Sequence, residues 1–254
     1  MKVTAVVVGH REGEWLRSAL RSALQNVEAV RVRYPSVDAR VSVFLDNPDS
    51  LTRQVAFDFN SQVEISEVSF GDLGMVRNFA VTSGEDSTHF AFLDGDDLWS
   101  WNWLEGAVSR AMDKNGDTFV LHPQINYCFG TSGAESRVIS EHVSTSDSRY
   151  DPYALVSGNY WSALSFAPRT VYKNFPYVSR SIELSIGFED WIFNIQTIGA
   201  GIEHLSVPGT AHFHRRKPHG SLAQEEKDRQ ATFFPTRYWW KLARNKSLAT
   251  TLGN

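Results

Sequence analysis

The stretch HFAFLDGDDLW, residues 89–99, decides the fold class of this chain. Residues 90–93 form a short apolar run, which is the pattern of a strand buried on both faces of a sheet. Three carboxylates follow the run at once, at Asp94, Asp96 and Asp97. Because ligands of open α/β sheets bind beyond the carboxyl ends of the strands, this pattern predicts a buried parallel sheet with an acidic ligand site at its edge.

The spacing of the three acids indicates what they bind. Strand-like alternation puts Asp94 and Asp96 on the same side, where they are able to share one hard divalent cation such as Mn²⁺ or Mg²⁺. Gly95 between them lets the backbone turn and a ligand approach closely. The alternative is that Asp96 or Asp97 caps a helix that starts near Trp99. One helix cap needs one acid, however, and three are present.

The residues on either side of this stretch alternate between strand and helix patterns. The strand patterns cover residues 3–8, 41–45 and 63–68, and the helix patterns cover 14–32, 52–60, 75–83 and 101–114. Such sustained alternation predicts a three-layer α/β domain with a mostly parallel sheet and right-handed crossovers.

After residue 115 the alternation is less regular. The sequence predicts strands at 118–129, 160–167 and 202–207, helices at 169–175 and 189–198, a mobile loop over 130–149, and a mainly helical tail beyond Ser221. No internal repeat occurs, and no linker marks independently folding domains.

The composition argues against several classes of protein. The chain has 254 residues and a net charge of −4, which is unlike a nucleic-acid-binding protein. Cys128 is the only cysteine, which excludes an intrachain disulfide and suits a reducing compartment, so we expect a cytoplasmic protein. The apolar run at residues 3–8 is too short for a signal peptide or a membrane span.

Charge is unevenly distributed along the chain. Residues 211–254 hold nine Lys or Arg and three Asp or Glu, a net of +6, whereas residues 1–210 hold 16 and 26, a net of −10. A basic tail rich in aromatic residues suits peripheral contact with an anionic membrane. It equally suits a helix whose aromatic face packs on the domain or on a second subunit in a homodimer. Pro235 would interrupt a single long amphipathic helix, which favours packing.

Six ordered blocks of sequence resemble an inverting nucleotide-sugar glycosyltransferase of family 2, which has the GT-A fold. They run from residue 3 to 221 and contain VVVGH at 6–10, FLDNPDS at 44–50, GDLGMVRN at 71–78, FLDGDD at 92–97, GFEDW at 187–191 and, more weakly, RRKPHGS at 215–221. The chain departs from the family pattern where Asn47 and Pro48 replace a second acid and a glycine. His10 and Arg11 also replace smaller or aromatic residues.

The resemblance implies a Rossmann-like GT-A domain over residues 1–221 and a helical, basic and aromatic extension over 222–254. Residues 1–97 would bind the nucleotide sugar, and 98–221 the acceptor. The implied enzyme is a metal-dependent hexosyltransferase. It would move a sugar from a UDP- or GDP-sugar to an acceptor hydroxyl with inversion, and the acceptor is a glycan, a lipid-linked group or a protein.

The same resemblance assigns the donor side of the site. It adds His219 to Asp94 and Asp96 as a third ligand of Mn²⁺ or Mg²⁺. Arg215, Arg216 and Lys217 are able to clamp the diphosphate through charge-assisted hydrogen bonds, although such a run is also typical of a solvated surface. The expected nucleotide-sugar contacts are His10, Glu12, Asp46, Asp72, Arg77, Asp94, Gly95, Asp96 and Arg216.

An inverting transfer also needs a base that takes the proton of the acceptor hydroxyl. Glu189 and Asp190 follow Gly187 and open a predicted helix, which would hold a carboxylate stiffly towards the cleft. Helix capping is the structural alternative. The resemblance points to Asp190 rather than Glu189 as the base. Three aromatic residues are candidates for stacking on the acceptor, although core packing is the commoner role of such rings: Trp99, Tyr160 and Trp161.

Other functions stay open at this stage. A haloacid-dehalogenase-like phosphohydrolase also carries Asp-x-Asp after a strand, with the first Asp as nucleophile, but Leu98 stands where Thr or Val is normal. A zinc site formed by His212, His214 and His219 is compatible with their spacing. A non-catalytic module that binds sugar nucleotides or carbohydrates is a third possibility, although the complete set of acids argues against it. A dinucleotide enzyme is disfavoured because no Gly-x-Gly-x-x-Gly follows the first strand.

Overall fold

The computed structural model of the chain describes residues 1–114, 118–130, 136–180, 187–217, 228, 230–232 and 236–251, the last seven as backbone only. The first half alternates between strands and helices, as predicted. Its elements are β1 (Lys2–Gly9), α1 (Trp15–Arg33), β2 (Asp38–Asp46), α2 (Ser50–Phe57), β3 (Glu64–Val68), α3 (Leu73–Ser83) and β4 (His89–Asp94).

In helix α1 the spacing of the apolar residues, from which the helix was predicted, matches the face that is buried. Leu16, Leu20, Ala23 and Val27 recur every three to four residues and are all buried against the sheet. The helix ends at Arg33, just before the Tyr34-Pro35 pair, because a residue that precedes proline is disfavoured in the helical region.

The second half contains shorter and less regular elements. They are β5 (Leu98–Trp99), α4 (Trp103–Asp113), β6 (Phe119–Phe129), β7 (Arg137–Glu141), a 3-10 turn over Pro152–Val156, β8 (Phe166–Pro168), α5 (Arg169–Asn174), α6 (Glu189–Gly199), β9 (Glu203–Arg215) and α7 (Arg237–Thr251).

The nine described strands form one sheet in the order β3-β2-β1-β4-β8-β6-β9-β5, with β7 paired to β6. The pairs β3-β2, β2-β1, β1-β4 and β6-β9 are parallel, whereas β8, β5 and β7 run against their neighbours. The mostly parallel sheet is therefore confirmed.

The sheet curls back towards its centre at the acidic stretch. β5 begins shortly after β4 ends, yet it pairs with β9 at the far end of the strand order. Residues 95–97 therefore join the middle of the sheet to its last strands. This connection places the acidic loop where two parts of the sheet meet.

Three predictions for the second half were wrong. Residues 137–141 form β7 within the segment that we predicted to be a loop, the strand predicted at 160–167 is confined to residues 166–168, and β9 continues to Arg215 instead of ending at 207. The short strand β5 at residues 98–99 was not predicted. Short edge strands carry too few residues for a clear period, and partner strands rather than local propensity determine them.

The C-terminal helix packs on the domain through its apolar face. Leu242 is 8% exposed and lies in a second apolar cluster with Leu155 and Ile195. At Gly199 of α6 a Cβ atom would lie 2.4 Å from the Tyr238 ring, so the two helices touch closely. Within the part of the chain that is described, no helix is both long and apolar enough to cross a bilayer.

We expect Leu242→Ala to lower the free energy of unfolding by about 2–3 kcal/mol, because it leaves a cavity between α7 and α6. Leu51→Ala, at a leucine that is 44% exposed, is the matched control and should cost less than about 1 kcal/mol. Chemical denaturation measures both. Equal losses in the two variants would show that α7 does not pack on the domain in solution.

Candidate functional site

The loop after β4 is held in a tight turn against β1. Gly95 donates its backbone N–H to the carbonyl of Val8 at 2.7 Å, and Asp97 donates to the carbonyl of Asp94 at 3.0 Å. A Cβ atom at Gly95 would lie 2.8 Å from the Val8 oxygen, so only glycine fits. The three neighbouring carboxylates have different partners: Asp94 faces Arg77, Asp96 faces Lys217, and Asp97 faces His212.

Asp97 turns inward and joins the loop to β9. Its carboxylate accepts hydrogen bonds from His212 Nε2 at 2.8 Å, His214 Nδ1 at 3.3 Å and the backbone N–H of Arg215 at 2.7 Å. Burial alone would raise the pKa of Asp97, but the two histidines outweigh it and hold that pKa well below its usual range. Burial alone would lower the pKa of His214. The hydrogen bond and charge of Asp97, together with the charges of Asp96 and Asp94, outweigh burial and raise that pKa to about 9.

Asp96 faces the segment that follows β9. Its carboxylate lies 2.8 Å from Nζ of Lys217, which also approaches Glu12 at 3.9 Å. Burial and the charge of Asp97 raise the pKa of Asp96 to about 7, although Lys217 opposes the rise. Burial likewise raises the pKa of Glu12. Asp96 and Glu12 therefore share one lysine between two carboxylates.

Asp94 faces a fully buried arginine. Arg77 of α3 has no exposed side-chain surface and donates to Asp94 Oδ1 at 2.8 Å and to Glu189 Oε1 at 3.2 Å. Its guanidinium also lies 5.4 Å from the ring centre of Tyr177 and 5.9 Å from that of Phe92. Arg77 therefore ties the end of β4 to the start of α6.

The two acids at the start of α6 lie in different surroundings. Glu189 is buried and bound to Arg77, whereas Asp190 is only half-buried. Asp190 accepts the backbone N–H of Trp191 at 2.8 Å and the side-chain amide of Asn159 at 3.2 Å. Phe188, just before the helix, has a φ of 61°, a conformation that is unusual for a large side chain and is found at functional sites more often than elsewhere.

Several predicted donor contacts also organise the loops around the site. Asp46 accepts the backbone N–H groups of Phe70 and Gly71 at 2.7 and 3.1 Å, and the ring of His10 bonds the carbonyl of Asp46. Asp72 caps α3 through Met75 and accepts the backbone N–H of Arg180 at 2.6 Å. Asp46 and Asp72 are nearly buried, at 5% and 7% exposure, so both hold the loops in place.

The remaining predicted residues have mixed outcomes. Arg216 is exposed, whereas Arg215 and Lys217 lie over the ring of Trp15 at 5.5 and 5.6 Å. His219 lies outside the described residues. Trp99 and Trp161 are 4% and 2% exposed, which fits the core packing that the sequence analysis named as the commoner role of such rings, and their acceptor role stays a prediction. Tyr160 is half-buried and keeps some exposed surface.

Among the residues that the structure describes, two sets of side chains offer ligands for a metal ion. Asp94 and Asp96 supply the carboxylate oxygens that Mn²⁺ and Mg²⁺ prefer. Each of the two carboxylates binds a positively charged side chain of the protein, Arg77 and Lys217 respectively, so both are in positions that attract positive charge. Asp97, His212 and His214 also offer ligand atoms within 4.8 Å of one another. Their nitrogen-rich set is better suited to zinc or another transition metal. Of the histidine cluster considered from the sequence, His212 and His214 lie in this group with Asp97, and His219 lies outside the described residues.

Asn159 is in contact with the site and was missed by sequence reasoning. Asn159 bonds Asp190, but it lies in an irregular segment of Ser, Gly, Asn and Tyr residues that gives no periodic signal. The inward role of Asp97 was also missed, because adjacent acids look alike in sequence. No local pattern was available to find either contact, which depends on the meeting of distant segments.

Comparison with solved structures identifies the fold. S. aureus TarS 1–349 in complex with UDP-GlcNAc matches with a TM-score of 0.64 and 16% identity, over 95% of this chain and 64% of that one. Mannosyltransferase PcManGT from Pyrobaculum calidifontis, with GDP-Man and Mn²⁺, matches with a TM-score of 0.62 and 12% identity, over 90% and 60% of the chains. GalNAc-T7 with UDP, GalNAc and Mn²⁺ matches with a TM-score of 0.61 and 13% identity, over 85% and 44%.

The chain has the GT-A fold. It spans less than two thirds of the length of these three solved chains. No protein-family model and no curated protein matches the sequence. The GT-A fold expected from the order of the sequence blocks is therefore confirmed.

We expect Arg77→Met to lower the free energy of unfolding by about 3–5 kcal/mol, because it leaves Asp94 and Glu189 without their buried cation. Arg53→Met, at an exposed ion pair with Glu67, is the control and should cost about 1 kcal/mol or less. The double variant Arg77→Met/Glu189→Gln should recover part of the loss. Equal stability of the two single variants in denaturant titrations would contradict the bridging role.

Proposed function

We propose that the chain is an inverting glycosyltransferase of family 2 that uses a nucleotide-diphosphate sugar, UDP- or GDP-linked, and a divalent metal ion. The observation that carries this proposal is the arrangement at one edge of a GT-A sheet. There, Arg77 joins the acidic loop after β4 to the start of α6, which presents Asp190. Solved proteins of the same fold bind UDP-GlcNAc, UDP or GDP-Man, two of them with Mn²⁺, which supports a nucleotide-sugar donor.

The donor would bind at the carboxyl ends of β1, β2 and β4. His10, Glu12, Asp46 and Asp72 surround the loops there, with Arg216 exposed nearby for the diphosphate. Asp94, Asp96 and His219 would hold Mn²⁺ or Mg²⁺, which when bound offsets the charge that builds on the leaving diphosphate. Because Lys217 forms an ion pair with Asp96, the metal and this lysine would compete for one carboxylate.

Asp190 would act as the base. The acceptor oxygen attacks the anomeric carbon on the face opposite the diphosphate, the bond from that carbon to the diphosphate oxygen breaks, and the hydroxyl proton passes to the Asp190 carboxylate. Glu189 is less suited to this step, since Arg77 already occupies its carboxylate. The half-buried Tyr160 stays a candidate for stacking on the acceptor sugar.

The other functions receive less support from the geometry. A phosphohydrolase would use Asp94 as its nucleophile, but that carboxylate is bound to a buried arginine. A non-catalytic binding module would not need Asp190 to be oriented by two hydrogen bonds.

Several further properties stay predictions. These are the acceptor class, a cytoplasmic location, and the division of the domain into halves at 1–97 and 98–221. Contact with a membrane or with a second subunit through the exposed Arg237, Trp240 and Lys241 is also a prediction.

Asp96→Asn should abolish the increase in melting temperature that Mn²⁺ with UDP or GDP produces, because a ligand that binds only the folded state stabilises it. Glu28→Gln, at an exposed acid of α1, is the control and should keep the full increase. His214→Gln tests the alternative metal group. Loss of the increase in His214→Gln together with its retention in Asp96→Asn would move the metal to Asp97, His212 and His214.

Asp190→Asn should reduce turnover by about 10²–10⁴-fold, because it removes the proton acceptor at nearly constant shape. Release of UDP or GDP from the matching donor in the presence of an acceptor measures turnover. Glu203→Gln, at an exposed acid of β9, is the control and should leave the rate unchanged. Near-parental turnover of Asp190→Asn would exclude this residue as the base.

A further inference from the structure

Asn159 connects two polar side chains of helix α6. Its amide nitrogen Nδ2 donates to Oδ2 of Asp190 at 3.2 Å, and its oxygen Oδ1 accepts from Nδ2 of Asn194 at 2.9 Å. Asn194 is 1% exposed and lies one helical turn beyond Asp190. Because Asn194 offers a donor to the oxygen of Asn159, the amide NH₂ of Asn159 is the end that faces the carboxylate.

The segment that carries Asn159 is anchored in the interior. Trp161, two residues further on, is 2% exposed, and its Nε1 donates to the carbonyl of Val143 at 2.8 Å. Its ring packs against His204 with centres 4.4 Å apart, and its carbonyl accepts Nδ2 of Asn194 at 3.4 Å. Asn159 is therefore presented from a fixed backbone rather than from a loose loop.

Both oxygens of the Asp190 carboxylate are held. Oδ1 accepts the backbone N–H of Trp191 at 2.8 Å, and Oδ2 accepts Asn159. Among the residues that the structure describes, the ionisable groups near Asp190 include Glu189 on the same helix, Arg77 on α3 and Tyr177, whose pKa burial raises so that it stays neutral. Glu189 is paired with Arg77. Donors on a carboxylate stabilise its charged form, and Asn159 is a side-chain donor that makes no ion pair of its own.

We propose that Asn159 is a positioning residue that fixes the orientation of the Asp190 carboxylate and stabilises its charged form by donating a hydrogen bond to it. The role of Asp190 as base rests on the proposed function, but the link between the two side chains does not. A fixed carboxylate presents one oxygen lone pair to the acceptor hydroxyl at a constant angle. An ionised carboxylate is ready to accept the proton without a preceding deprotonation.

The direct test is the titration of Asp190 by ¹³C NMR in the full chain with labelled aspartate carboxyl carbons, assigned by comparison with Asp190→Asn. Asn159→Ala should raise the pKa of Asp190 by about one unit, because it removes a hydrogen bond to the charged form. Asn60→Ala, at an exposed asparagine, is the matched control and should leave the titration unchanged. An unchanged pKa of Asp190 in folded Asn159→Ala would overturn the proposal.

A second variant covers the case in which Asn159→Ala does not fold. Asn159→Asp keeps the size of the side chain and places a like charge beside Asp190, so the pKa of Asp190 should rise further. A titration that matches the wild type would again overturn the proposal. A purely structural role for Asn159 would lower the melting temperature without moving the titration of Asp190.

Activity gives an independent readout once a donor is in hand. In Asn159→Ala the acid limb of the kcat profile should move to higher pH by the same amount as the NMR titration, with KM for the donor nearly constant. If Asp190→Asn turns out to be fully active, the proposed base is wrong, while the NMR shift still decides whether Asn159 controls Asp190. The two failures are therefore distinguishable.

Discussion

The geometry of the site depends on one buried cation, Arg77. Its guanidinium is fully buried and bonds a carboxylate from each side of the cleft, Asp94 at the end of β4 and Glu189 at the start of α6. An isolated ion in that position would be strongly disfavoured, so the three groups are stable only together. The separation between the acidic loop and Asp190, the residue next to Glu189, is consequently set by the length of one arginine side chain.

Each acid of the loop faces basic side chains from a different part of the chain. Asp94 faces α3, Asp96 faces the segment after β9, and Asp97 faces the histidines of β9. Asp97 is the innermost acid and holds the curled end of the sheet to its centre. Asp96, whose carboxylate faces the single lysine Lys217 at 2.8 Å, is the acid at which we propose that a metal ion replaces a protein cation.

The sequence was most informative where one local rule applied. The apolar run at 90–93 and the carboxylates after it predicted the central strand, and the spacing of α1 predicted its buried face. The ordered blocks predicted the GT-A fold. Residues 98–99 and 137–141 could not be recognised as strands because their partners lie far away in sequence. The contacts of Asp97 with His212 and of Asn159 with Asp190 join residues 115 and 31 positions apart, which no local periodicity can reveal.

The central claim is that the acidic loop holds a divalent ion beside a nucleoside diphosphate. An anomalous difference map from crystals grown with Mn²⁺ and UDP or GDP, recorded near the manganese absorption edge, tests it most directly. We expect a manganese peak within bonding distance of Asp96 and the diphosphate oxygens, with Lys217 displaced from Asp96. A peak confined to Asp97, His212 and His214, or nucleotide bound with Lys217 still on Asp96 and no manganese, would contradict it.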